Sequence, residues 1–67
     1  MKELLDYYSK LIEACHDAAR ESVMAVRNGC VPDEDEIEVL QFAQSMIDVA
    51  AEMIWIKYRI IDGALDS

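Results

Sequence analysis

Glycine and proline are scarce in this chain, with two Gly and one Pro among 67 residues. So few turn formers exclude a sheet protein, whose short strands must be joined by closely spaced turns. Basic residues are scarce too. Six Lys and Arg stand against 14 Asp and Glu, for a net charge of −8. The phosphate backbone dominates nucleic-acid affinity, so no nucleic-acid partner is expected. No Lys or Arg lies between Arg27 and Lys57, a stretch that holds Asp33, Glu34, Asp35, Glu36, Glu38, Asp48 and Glu52. Such a segment is repelled by anionic membranes and suits a basic protein surface.

Cysteine occurs twice, as Cys15 and Cys30. On one continuous helix these lie about 22 Å apart, against the roughly 7 Å between Cα atoms that a disulfide tolerates. No intrachain bridge is expected, which fits a reducing cytosol. The segment Met1-Lys2-Glu3-Leu4-Leu5-Asp6 has no apolar signal core, and no uncharged apolar run approaches the roughly 18 residues of a membrane span. The expectation is a cytoplasmic protein with no membrane partner. Catalytic groups are equally sparse. There is a single His, with no Gly-rich phosphate loop and no Ser-His-acid spacing, so neither an enzyme nor a cofactor site is expected. Glu13-Ala14-Cys15-His16 fits the Glu-x-x-His spacing of di-iron bundles. Its angular position puts both ligands towards solvent rather than a core, so no metal is expected either.

What is abundant is apolar side chain, 54% of the residues, too much for a disordered chain. The turn signals gather at Asn28-Gly29-Cys30-Val31-Pro32-Asp33. Gly29 can take the left-handed conformation that ends a helix, and Pro32 cannot continue one. Asp33 with Glu36 three residues on reads as a capping box, and the acids of that turn match the helix dipole. Gly63 reads as a C-terminal stop. The prediction is a single domain over 1–67: helix 1 about 2–28, turn 29–32, helix 2 about 33–62, then a short tail. A connection this short makes the helices antiparallel neighbours, an all-α two-helix hairpin.

The periodicity adds an oligomeric expectation. Helix 1 carries an apolar arc of about 180°. Small residues on that arc (Ala14, Ala18, Ala19, Ser22, Ala25) invite a close neighbour, with Phe42 and Met46 expected opposite them. On helix 2, Val39, Phe42, Met46, Val49, Met53, Ile56 and Ile60 recur at alternating spacings of three and four, the seam expected to serve core and self-association. Beside it run Leu40, Ala43, Ile47, Ala50, Ile54 and Ile61, interrupted by Lys57. Together the seams span about 200°, more than one hairpin mate can cover. A second copy would cover the remainder as a C2-symmetric antiparallel four-helix bundle.

Three apolar residues fall on otherwise polar faces: Trp55, Ile37 and Met24. Trp is enriched at binding hot spots, which makes these the candidate contacts for a partner protein. Long side chains leaning over their neighbours would explain them as simply. Cys15 is expected as a small core residue and Cys30 as an exposed loop thiol. The functional expectation is a small acidic dimeric regulator (an inhibitor, anti-activator or adaptor) that docks on a larger, unidentified protein. The alternative is a structural or assembly subunit of a hetero-oligomer that uses the apolar face of helix 2.

Overall fold

The computed structural model describes residues 2–66 and is all-helical, with no strand among them. Helix α1 spans Lys2–Arg27, a 3-10 turn covers Asp33–Asp35, and helix α2 spans Glu36–Asp66. Met1 and Ser67, the outermost positions of the predicted domain, lie outside the described residues.

The α1 terminus follows from its sequence. Gly29 sits at φ 73°, the left-handed region that costs glycine nothing. Its N–H donates to the Val26 carbonyl at 3.1 Å, and the Cys30 N–H donates to the Ala25 carbonyl at 2.9 Å. These are the paired bonds of a Schellman motif, which satisfy carbonyls the helix end would otherwise strand. Glu3 in the first turn and Arg27 in the last complement the dipole.

The start of α2 departs from the capping-box expectation. No side-chain cap bond forms. The Asp35 N–H donates to the Pro32 carbonyl at 2.9 Å, and the Glu36 N–H donates to the Asp33 carbonyl. A tight 3-10 turn thus uses backbone acceptors where a carboxylate was expected, leaving the acids free near the positive end of the helix dipole. The far end departs as well. Gly63 does not stop α2, which runs on to Asp66. A glycine ends a helix only where the chain takes a positive φ there, and Gly29 is the only glycine that does.

The two helices form an antiparallel hairpin, a rod of 52 × 16 × 11 Å. Its radius of gyration is 15.5 Å, against about 11 Å for a compact globule of this length. The line of closest approach runs through alanines. Ala19, Ala43 and Ala50 are the buried hydrophobic residues, and no large side chain is fully buried among the described residues. Leu5, Ile12, Cys15 and Val26 of α1 and Val39, Met46, Met53 and Ile60 of α2 flank that line, half-buried.

Phe42 does not fill the space opposite the small residues of α1, as the sequence led one to expect; it is 49% exposed. The residue that faces the mate is its neighbour Ala43, about 100° further round the helix. Small residues on both helices bring the backbones together and push the bulky ones outward.

Candidate interaction surfaces

Because alanines occupy the centre of the interface, α2 keeps two apolar flanks, one on each side of the line that meets α1. On one flank Leu40, Ile47 and Ile54 recur every seven residues and are 42%, 46% and 36% exposed. Seven residues are close to two turns, so these side chains stack in one row. Ala51, exposed, lies between Ile47 and Ile54 on the same row. Ile47 also lines an open groove of about 430 Å³ together with His16, Ala19, Arg20, Val23 and Met24 of α1. This flank therefore continues across the hairpin onto α1, where Val23 is exposed.

The other flank carries Phe42, Val49 and Ile56 at the same spacing. Phe42 and Ile56 are exposed and Val49 is half-buried. Its outer row holds Ser45, Glu52 and Arg59 rather than alanine, all exposed. Glu52, Trp55 and Ile56 line a second open groove of about 400 Å³. On α1 the residues lying away from Val23 are Leu4, Tyr7 and Ala14, also exposed. The ring of Tyr7 packs edge-on against Tyr8 at 5.6 Å.

The predicted self-association seam is thus divided. Val39, Met46, Val49, Met53 and Ile60 are half-buried along the hairpin, while Phe42 and Ile56 turn outward. The three candidate partner contacts are all exposed: Trp55 at 66%, Ile37 at 69% and Met24 at 42%. They do not form one site. Ile37 and Trp55 lie on the face of α2 turned from its mate, eighteen residues or five full turns apart. Met24 belongs to the groove on α1. Trp55 has a local companion, with the Arg59 guanidinium 5.5 Å from its ring centroid, one turn on. This cation–π contact covers part of one ring face and is worth about 0.5–1 kcal/mol at an exposed position.

Sequence reasoning missed one polar contact. Lys57 reads as a break in the second seam, yet it is half-buried, and its Nζ donates to the Ser9 hydroxyl across the hairpin at 2.8 Å. A lysine at a seam position facing a serine on the other helix was the available signal. The long apolar stem lies along the interface while the ammonium finds an acceptor.

Glu13 and His16 are both exposed. Cys15 is half-buried, Cys30 is exposed, and both are free thiols. Ser22 and Ser45 donate back to the carbonyls of Ala18 and Gln41, at 2.9 and 3.0 Å, and so spend their hydroxyls within their own helices.

Helix α2 has a further property that a count of uncharged residues does not reveal. The stretch Asp33–Gly63 is long and apolar enough to cross a membrane by length and composition. Between Val39 and Ile56 the only charged residues are Asp48 and Glu52. Neither a protein-family model, nor a curated protein, nor a solved structure matches the chain.

Proposed function

We propose that this chain is a small acidic regulator that self-associates through α2 into a four-helix bundle and acts by docking on a larger protein. The supporting observation is the mismatch between the apolar surface of α2 and what α1 covers. The hairpin presents 5220 Å² of accessible surface, whereas a compact monomer of 7.6 kDa presents about 4,300 Å² by the usual size scaling. The excess, about 900 Å² per chain, is close to the roughly 800 Å² each partner contributes to a standard protein interface. Leu40, Ile47 and Ile54 on one flank and Phe42 and Ile56 on the other are exposed, and rows of large apolar side chains such as these are what interaction sites present. Self-association is also a common way for a domain of this size to gain a core.

Docking on a further protein is supported by the outer face. Trp55 and Ile37 lie on the side of α2 that a bundle leaves free, set among Gln41, Gln44 and Asp48. Large aromatic and aliphatic anchors in a polar surround are the composition of interaction hot spots. The acids of the turn give such a partner a reason to be basic.

The same bare flanks would serve a subunit of a hetero-oligomer, and light scattering on the purified chain separates the two readings. A stable, highly helical dimer supports the regulator. A chain that aggregates or stays partly unfolded until a different protein is added supports the assembly subunit. A membrane span is the less economical use of α2. Asp48 would sit near the middle of the hydrocarbon at a cost of about 2.5–3.5 kcal/mol, and Glu52 one turn away would add to it. The docking claim is tested by affinity capture from the source cells with the unmodified chain and with Trp55→Ala. A protein retained by the first and lost by the second, with the dimer intact, supports it. Equal retention by both removes Trp55 from the binding surface.

A further inference from the structure

Resting on the self-association proposed above, the geometry points to the Leu40–Ile47–Ile54 flank as the face a second copy covers. The two hairpins lie antiparallel, with turns at opposite ends and the two-fold axis beside Ala51.

The chemistry at the axis selects the face. In a two-fold interface, the residue nearest the axis meets its own copy. The row Leu40, Ile47, Ile54 and Ile61 is centred between residues 50 and 51, which puts Ala51, exposed and small, beside the axis, so two backbones can approach without a clash. On the Phe42–Val49–Ile56 flank the middle residue is Val49, and the exposed Glu52 lies one turn from it on the same side. A dimer there would take the Glu52 carboxylate of each copy out of water with no basic partner opposite it.

The pattern on the chosen flank is also self-complementary. Leu40, Ile47, Ile54 and Ile61 are evenly spaced about a point between Ala50 and Ala51. An antiparallel copy pairs Leu40 with Ile61 of the partner and Ile47 with Ile54 of the partner, aliphatic against aliphatic throughout. The groove between Ile47, Ala19 and Val23 gives the partner's branched side chains a place to enter, as knobs do in left-handed helix packing.

Charge selects the orientation. Asp33, Glu34, Asp35, Glu36 and Glu38 gather at the turn. Stacking two hairpins with turns together would place ten carboxylates within about one Debye length, roughly 8–10 Å. Reversing one hairpin sets each acidic turn beside the opposite end of its partner, where Lys2 and Arg59 offset part of the charge of Glu3, Asp6 and Asp62, so the repulsion is weaker than between two turns.

The test is staged so that its failures differ. The mass of the unaltered chain comes first, and a monomer at high concentration overturns self-association itself. Given a dimer, Ala51→Cys and Glu52→Cys are each placed in a Cys15→Ala, Cys30→Ser background and treated with a short bismaleimide. The proposal expects Ala51→Cys to be captured as a covalent dimer and Glu52→Cys not to be. Capture of Glu52→Cys alone, or of neither, overturns the choice of face. A mutational pair checks this without cross-linking. Ile47→Asp raises the dimer dissociation constant at least about a hundredfold while Phe42→Asp changes it less than about threefold, and the reverse ranking overturns the face. A nitroxide on the native Cys30, with Cys15→Ala, reads the orientation. The expected separation is close to the 52 Å length of the hairpin. A separation of one or two helix diameters overturns the antiparallel arrangement.

Discussion

Among the described residues, α1 leaves four large apolar side chains exposed, Leu4, Tyr7, Val23 and Met24, and α2 leaves eight. Both helices lie along the same interface, so the difference does not come from position. It comes from the width of the apolar arc. The polar face of α1 is dense with charge, from Glu3 and Asp6 through Lys10, Glu13 and Asp17 to Arg20 and Glu21. That of α2 is thin and interrupted by Ile37 and Trp55. A helix that needs only its hairpin mate resembles α1. The apolar arc of α2 is wider than the hairpin alone covers.

The largest expected effect comes from the line the two helices share. Ala50 is 0% exposed, and Ala50→Asp would bury an unpaired carboxylate at a cost of several kcal/mol, comparable to the whole stability of a domain this small. The expected outcome is loss of helical circular dichroism at 25 °C. A folded, cooperatively melting variant would mean that the helices can separate at Ala50 without penalty. Met46→Asp, at a half-buried neighbouring position, is expected to fall short of that and leave a weakened fold.

The two glycines sharpen the comparison at opposite ends of the molecule. An added Cβ would meet nothing within 4 Å at either site, so backbone conformation alone decides the outcome. Gly29→Ala forces an L-residue into the left-handed region and should destabilise by about 1–2 kcal/mol. That lowers Tm by roughly 4–8 °C per kcal/mol. Gly63→Ala lies inside α2 and should stabilise by about 0.5–1 kcal/mol. Equal losses at both would mean that α2 ends at Gly63 after all.

The smallest effect on folding is expected at Trp55. Replacing it with Ala removes an exposed ring and its contact with Arg59, which amounts to about 0.5–1 kcal/mol at most. Helicity and dimer mass should be unchanged. Collapse of the fold would show that the ring is covered in the assembled state, and that the outer face of α2 is an inner one.

Much of this was legible in the sequence, and the parts that were not share a physical cause. The turn was readable because Gly29 and Pro32 act through their own backbone restrictions, which no distant contact alters. Asp33 and Gly63 were misread because their side chains only permit a cap or a stop. Backbone carbonyls at Pro32 and Asp33 served as acceptors instead, and nothing at Gly63 required the helix to end. The two apolar seams of α2 were visible from spacing alone. Which of them meets α1 was not, since that is decided by how closely Ala19, Ala43 and Ala50 let the helices approach. The exposure of Phe42 follows from that approach, as does the pairing of Lys57 with Ser9.

The central claim is that α2 carries more apolar surface than its hairpin mate can cover, so the chain does not remain alone in solution. Sedimentation equilibrium over the micromolar to millimolar range tests it directly. The account predicts a single species with twice the 7.6 kDa mass of the chain, helical and cooperatively melting, with a midpoint that rises with concentration. A folded species of 7.6 kDa across that whole range, with a midpoint independent of concentration, would contradict it.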